Sequence, residues 1–230
     1  MLGNSKYSKV LTIMLIIVII AVLIGIGFLT YNFIKGYKND KENEEVMEAF
    51  TSSIKKREEE DAVNDNKQDG SITEGTETPM IGGGSTQSSG GSKKVTPISY
   101  NTASVIGIIE IPKINIKYPI YSEVTVDTLN KAVAKQYGVE LNEVGNTVIA
   151  GHNYRNGKFF SNNTKLANGD KIYVTDGEGN KITYTIYNTY YTTPEDAGYF
   201  VRETNGKREI SLTTCSDDSK QRLIIWAKED

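Results

Sequence analysis

The most apolar stretch of the chain lies near its N-terminus. Between Val10 and Ile34 there is no charged residue, and Leu11–Leu29 is almost entirely aliphatic. At about 1.5 Å per residue, a helix over this stretch reaches roughly 37 Å, enough to cross a bilayer's hydrocarbon core with some tilt. A cleaved signal peptide has a shorter apolar region, of about 7–15 residues, and ends at an A-x-A-like site, which does not follow Ala21. The pattern therefore predicts an uncleaved transmembrane anchor over residues 10–34.

Both flanks of the predicted anchor are basic. Residues 1–9 carry Lys6 and Lys9, and Lys35, Lys38 and Lys41 follow the apolar stretch. The positive-inside rule places the more basic flank in the cytoplasm. These lysines therefore do not decide the orientation of the anchor.

The segment after the anchor, residues 35–94, does not have the pattern of a folded domain. Its first part is rich in glutamate, and only Val46, Phe50 and Ile54 recur at a helical spacing. A stripe this thin predicts a solvated juxtamembrane helix without a packing partner. The stretch from 64 to 94, with GGGSTQSSGGS, predicts a flexible tether, because its composition cannot bury enough apolar surface to offset the entropy lost on ordering.

Residues 95–230 have the pattern of one domain built mainly from short strands. A short helix is predicted over TVDTLNKAVAKQYG, where Leu129 and Val133 lie four apart and Gly138 ends the pattern. The predicted strands are SVIGIIEI, INIKYPI, NTVIA, the two halves of GDKIYVTDGEGNKITYTIYNTYYT, EISLTTC and RLIIWAKE. So many short strands and so few helices predict an all-β barrel or sandwich. We expect this domain to be soluble, folded and active without the residues that precede it.

The composition excludes several functions. With 26 basic and 29 acidic residues the net charge is −3, so no basic face for nucleic acid is expected. No glycine-rich phosphate loop lies between a strand and a helix. The chain has one cysteine and one histidine. A zinc site with the usual four ligands is therefore not expected, and a disulfide within the chain is impossible.

The single cysteine, the single histidine and an arginine form a candidate catalytic set. Cys215 ends one predicted strand and Arg222 begins the next; in an antiparallel pair they face each other with Cβ atoms about 5 Å apart. A neighbouring guanidinium favours the nucleophilic thiolate form of a thiol. His152 follows a buried strand at a loop. Cysteine, histidine and arginine suit the roles of nucleophile, proton shuttle and oxyanion donor. Each also has a purely structural alternative: the cysteine as a buried packing residue, the histidine as a hydrogen-bonded structural residue, and the arginine as a surface cation.

These residues and the sequence segments around them resemble the sortase family. The matching pieces are GIIEIPKINIKYPI, VIAGHN, LANGDKIYV and SLTTC followed by RLIIWAK, and they span roughly Val105–Lys228. The resemblance implies a closed eight-stranded β-barrel and a membrane-bound transpeptidase on the outer face of a Gram-positive cell, with the N-terminus inside. It gives His152, Cys215 and Arg222 the catalytic roles. Thr213 and Thr214 would shape the groove beside the thiol, or be ordinary strand residues.

The resemblance also implies a reaction and its partners. Cys215 would cleave an LPXTG-like sorting signal between Thr and Gly, hold the product as a thioester and pass it to an amine of a peptidoglycan precursor. No cofactor and no metal are expected, although Glu195 and Asp196 could take part in a calcium site of the class A kind. LTTC resembles class D and class E members, and the absence of an Asp-Pro pair favours attachment of proteins to the wall over pilus assembly. The alternatives are a cysteine endopeptidase that uses water, a pilin-polymerising sortase, a surface adhesin and a redox sensor.

Overall fold

The computed structural model describes residues 6–65, 98–100 and 103–230. The predicted flexible tether lies outside these residues, apart from Asn64 and Asp65. The helices are α1 (Lys6–Asp65) and α2 (Val126–Lys131), and short 3-10 turns lie at Pro112–Ile114 and Asn163–Lys165. The strands are β1 (Ile98–Tyr100), β2 (Ala103–Ile111), β3 (Ile116–Tyr121), β4 (Val133–Gly138), β5 (Gly145–Ala150), β6 (Lys171–Asp176), β7 (Lys181–Thr192), β8 (Arg208–Cys215) and β9 (Arg222–Glu229).

The chain forms two compact units, one up to Glu45 and one from Val46 onward. The first is the N-terminal part of α1. Among the described residues, α1 is the one helix long and apolar enough to cross a membrane, with a mean hydropathy of 3.2 in its most apolar window. Large apolar side chains are exposed all around this part of the helix, as in a helix that faces lipid. The segment has the length and composition of a membrane anchor or a signal sequence.

The second unit is built on a closed barrel of eight strands. Neighbouring strands follow the order β2-β3-β4-β5-β8-β9-β7-β6, and β6 pairs again with β2 to close the barrel, while β1 adds to β2 outside the circle. The β3–β4 and β5–β8 pairs are parallel and the other neighbours are antiparallel. The prediction of an eight-stranded β-barrel is confirmed.

The barrel interior is filled by alternate residues of its strands. Ile109, Val174, Leu212 and Ile225 are all 0% exposed within one large apolar cluster. Burying an aliphatic side chain of this size stabilises a fold by about 1.5–3 kcal/mol. Since strand residues alternate between two faces, the neighbours of these residues point outward. The outer face therefore carries the side chains that can form a site.

The predicted helix between Thr125 and Gly138 is wrong in its second half. Thr125 caps α2 in a capping box with Thr128, but the helix ends at Lys131. The next residues form β4, where Ala134 pairs with Tyr121 of β3 on one side and with Ala150 of β5 on the other. Hydrogen bonding to two neighbouring strands outweighs a weak helical spacing of two apolar residues.

The expectation of a solvated juxtamembrane helix is also wrong. Within the second unit, Val46, Phe50 and Ile54 of α1 are 2%, 3% and 8% exposed. They share a buried cluster with outward-facing residues of the barrel and its loops, namely Val105, Ile108, Tyr121, Ala132, Ala134 and Phe159. The strand β2 is apolar on both faces, and the stripe on α1 covers its outer face.

Candidate active site

The geometry of Cys215 and Arg222 follows from the β8–β9 pair. The two residues are directly opposed at the loop end of this antiparallel pair. The Nη1 of Arg222 donates a hydrogen bond to the Sγ of Cys215 at 3.2 Å. Both side chains are partly exposed. The prediction that the two side chains face each other is confirmed.

The short loop between β8 and β9 fixes this pairing. The backbone N–H of Ser216 donates to the carbonyl of Gln221 at 2.9 Å. The Ser216 hydroxyl accepts from the N–H of Gln221 at 3.0 Å and donates to Asp218 at 2.6 Å. These bonds close the loop directly behind the thiol and the guanidinium, so the two side chains keep their register.

His152 reaches the same end of β8 from the other side. Strand β5 runs parallel to β8, with Ala150 opposite Thr213. The N–H of Gly151 donates to the carbonyl of Thr213 at 3.2 Å, and the Asn153 side-chain amide donates to the carbonyl of Cys215 at 3.0 Å. The residues on both sides of His152 are therefore bonded to the last residues of β8, so the chain at His152 runs along the end of this strand.

A close approach requires glycine immediately before the histidine. A Cβ added to Gly151 would lie 2.7 Å from the Phe160 ring and 2.9 Å from Val133. Both neighbours are fully buried, at 0% exposure. A larger residue would push the chain away from β8, and His152 would move with it.

The imidazole of His152 is partly buried. Its ring centroid lies 4.7 Å from that of Tyr154. Burial lowers the pKa of His152 below its ordinary value of 6.5, because desolvation disfavours the charged imidazolium. Near neutral pH the ring is therefore predominantly neutral and able to accept a proton.

The two threonines ahead of Cys215 lie on opposite faces of β8. Thr213 shares the outer face with Cys215, and its Oγ1 lies 3.5 Å from the Tyr199 hydroxyl oxygen. Thr214 pairs with Leu223, a residue of the barrel interior, and its buried Oγ1 has no hydrogen-bond partner among the described residues. The structure therefore brings Thr213 to the site's face and places Thr214 behind it. Strand alternation alone could have separated the two.

A buried ion pair that the sequence did not reveal supports the outer face of β8. Arg202, in the loop between β7 and β8, pairs with Glu209 of β8, and their side chains are 9% and 8% exposed. Arg202 also donates to the Tyr187 hydroxyl at 2.8 Å and to the Asn146 side-chain oxygen at 3.1 Å. Its guanidinium carbon lies 4.7 Å from the centre of the Trp226 ring. A single arginine in a loop gives no sequence signal for such a network.

The described residues contain no group of three or more His, Cys, Asp or Glu side chains placed to hold a metal ion. Asp196, one of the two acidic residues considered for calcium, accepts hydrogen bonds from the Thr192 hydroxyl and from the N–H of Gly198. These bonds lower the pKa of the Asp196 carboxyl. The carboxylate therefore stabilises its own loop.

Comparison with known proteins gives consistent matches. A family model described as "Sortase domain" matches residues 109–230. Sortase A of Bacillus anthracis is 33% identical over 135 residues, which are 57% of this chain and 63% of that protein, so this chain spans less than two thirds of that relative. Sortase A of Staphylococcus aureus is 24% identical over 213 residues, covering 91% of this chain and 89% of the relative. The structure of a lid mutant of sortase A from Corynebacterium diphtheriae superposes with a TM-score of 0.51 at 28% identity, covering 56% of this chain and 71% of that one.

Removing the buried arginine should destabilise the protein strongly. We expect Arg202→Ala to lower the free energy of unfolding by about 3–5 kcal/mol, because Glu209 is left buried without its partner. The control is Lys171→Ala, which breaks the ion pair of Lys171 with Asp230. These two side chains are 43% and 44% exposed, so the substitution should lower the free energy of unfolding by at most about 1 kcal/mol. Urea unfolding of the full chain in detergent, followed by tryptophan fluorescence, measures both. Equal losses in the two variants would contradict the assignment of Arg202 as a buried anchor.

Acid should destabilise the protein through His152. The unfolded chain protonates this residue at its ordinary pKa of 6.5, and the folded chain at a lower pH. Between the two values the unfolded state binds more protons, so the free energy of unfolding falls as the pH decreases through 6.5. In His152→Gln this component is absent, and we expect a flatter dependence over the same range. The free energy of unfolding is measured by urea unfolding at each pH. If it depends on pH in the same way in wild type and in His152→Gln, burial does not lower the pKa of His152.

Proposed function

Because this chain belongs to the sortase family of cysteine transpeptidases, we propose that it cuts an LPXTG-like sorting signal between Thr and Gly. The new carboxyl end is transferred to an amine. The observation that carries this proposal is the hydrogen bond of 3.2 Å between the Arg222 guanidinium and the Cys215 sulfur. This contact supports the proposal because a candidate nucleophile and a candidate oxyanion donor would then act at one point on the outer face of the barrel. His152 follows two residues after the end of β5, which runs parallel to β8.

In the first half of the reaction, the Cys215 sulfur attacks the carbonyl carbon of the Thr residue in the signal. A carbon–sulfur bond forms, and the carbonyl oxygen takes the negative charge. As the carbon–nitrogen bond breaks, the His152 imidazolium gives its proton to the departing Gly amine. The enzyme is left with a thioester on Cys215 and a neutral imidazole.

In the second half, an amine attacks the thioester. His152 now accepts a proton from the incoming nitrogen, and the Cys215 thiolate leaves. Because burial lowers the pKa of His152, the imidazolium is a minority form of this residue near neutral pH. The rate of the first half then depends on this small fraction.

Arg222 stabilises the oxyanion in both halves. Its guanidinium has several N–H donors in a fixed planar arrangement, and in the free enzyme one of them already binds the sulfur. When the sulfur becomes bonded to carbon, the carbonyl oxygen develops charge next to these donors. Thr213, on the same face of β8, lines the groove for the signal.

The partners follow from this assignment. The substrates are surface proteins with a C-terminal LPXTG-like signal, and the acceptor is an amine of a peptidoglycan precursor. Residues 10–34 contact membrane lipid, residues 1–9 lie in the cytoplasm, and residues 95–230 act outside the cell. The long apolar helix and the family's action on sorting signals support this arrangement.

Substitution of the three side chains tests the proposed chemistry. We expect Cys215→Ala and His152→Ala to abolish cleavage of a fluorogenic LPXTG peptide, because the chain has no second cysteine or histidine. Arg222→Ala should lower kcat by about 10²–10³-fold, and Arg222→Lys should recover little, because a lysine lacks the planar set of donors. Mass spectrometry with triglycine present should find ligated product. Hydrolysed peptide alone would indicate an endopeptidase, and a fully active Arg222→Ala would exclude the arginine from the mechanism.

The proposed orientation predicts which side of the membrane carries the second unit. In intact protoplasts of a Gram-positive host, added protease should digest the chain beyond α1, because its substrates are outside the cell. A cytoplasmic protein in the same cells serves as the control and should stay intact. Protection of both proteins would place the barrel in the cytoplasm.

A further inference from the structure

We propose that the docking segment, residues 46–57 of α1, belongs to the catalytic unit and positions His152 through Phe159 and Tyr154. The inference rests on the catalytic role proposed for His152. It departs from the expectation that residues 95–230 are active without the preceding helix. The positioning residues are Phe50, Phe159 and Tyr154, and none of them touches the reacting atoms.

The docking segment contacts the loop that follows His152. Val46, Phe50 and Ile54 share their buried cluster with Phe159, which is 2% exposed. Two further contacts hold the segment in place. Arg57 donates a hydrogen bond to the carbonyl of Gly177, in the turn between β6 and β7, and Ile54 packs so tightly over Gly179 that an added Cβ would lie 2.7 Å from its Cγ2.

Phe159 has a strained backbone conformation. Its φ of 51° lies in the left-handed region, which is strained for a bulky residue and persists only where the surroundings impose it. The surroundings are the apolar cluster and Tyr118, whose ring lies 5.2 Å from that of Phe159 and whose hydroxyl accepts from the Phe159 N–H at 3.2 Å. Phe159 also forms a β-bridge with Asn153, the residue after His152. Loss of the cluster would therefore release the loop at the point where it is strained.

Tyr154 connects Phe159 to the imidazole of His152. The Tyr154 ring lies 5.7 Å from the ring of Phe159 and 4.7 Å from that of His152. Tyr154 is 44% exposed, so burial alone does not hold it. Its hydroxyl donates to Asn130 of α2 at 2.7 Å, and its N–H donates to the Ser161 hydroxyl at 3.0 Å. A continuous row of aromatic rings therefore runs from the surface covered by the docking segment to the proton shuttle.

The test uses the full chain in detergent micelles with the fluorogenic LPXTG peptide. We expect Phe50→Ala to lower kcat more than tenfold with KM changed less than twofold, because the site loses the alignment of His152 and keeps its peptide groove. Phe50→Leu fills most of the same space and should restore the rate. The matched control is Thr51→Ala, since the hydroxyl of this exposed neighbour donates to the carbonyl of Met47 in its own helix turn.

A second measurement separates positioning from general loss of structure. His152 is the single histidine of the chain, so a protein labelled with ¹³C-histidine has one set of imidazole resonances. The neighbouring Tyr154 ring shifts these resonances through its ring current. At constant pH and with an unchanged circular dichroism spectrum, we expect Phe50→Ala to shift them and Thr51→Ala to leave them in place. If Phe50→Ala does not fold, Val46→Ala removes less of the same cluster and is judged by the same criteria.

The outcomes distinguish this inference from the proposed function. If the wild-type chain does not cleave the peptide, the proposed function fails, and the His152 resonances alone decide the inference. An unshifted resonance overturns the inference whatever the rate. Shifted resonances with a wild-type kcat overturn it as well, because the movement then has no consequence for catalysis. Shifted resonances with a lowered kcat, restored by leucine, support it.

Discussion

The position of β8 between a parallel and an antiparallel neighbour is the constraint on which the site depends. On one side, Cys215 is opposed by Arg222 across a tight hairpin, and their side chains meet at 3.2 Å. On the other side, the β5–β8 register brings His152 to the same end of the strand. Neither pairing alone assembles the three groups. A slip of β8 by one residue would turn Cys215 into the barrel and Thr214 outward.

The outer face of the barrel is covered in two places, and both coverings border the site. The loop between β7 and β8 is held over β8 by the buried pair of Arg202 and Glu209. The docking segment of α1 covers the outer face of β2 through Phe50 and its apolar neighbours. A strand covered on both faces needs apolar residues on both, which explains why Ile108 and Ile109 are both buried. Each covering reaches a residue close to the site: the Tyr199 hydroxyl oxygen of the loop lies 3.5 Å from the Oγ1 of Thr213, and Phe159, in the cluster covered by the docking segment, pairs with Asn153.

How far the sequence predicts this structure depends on how local each interaction is. Cys215 and Arg222 flank one short loop, so period-two alternation was enough to place them face to face. His152 comes from a parallel pairing between distant strands, and only the family resemblance brought it to the site. The apolar stripe of Val46, Phe50 and Ile54 could be seen in the sequence, but the surface it packs against could not. An apolar run such as β2 does not reveal which element covers its second face. The loop around Arg202 gave no signal of the ion pair, because Arg202 and Glu209 are brought together and buried only by folding.

The parallel pairing of β5 with β8 also bears on how the protein folds. Parallel neighbours cannot be joined by a tight turn, and here the intervening chain forms β6, β7 and their loops before β8 returns. Closing so large a loop costs entropy before any pairing is gained, and topologies dominated by such distant contacts fold slowly. The β8–β9 hairpin can form early because its contacts are local. The thiol and the guanidinium are thus expected to meet first, and the imidazole joins only when the chain is nearly native, so an incompletely folded molecule carries a nucleophile without its proton shuttle.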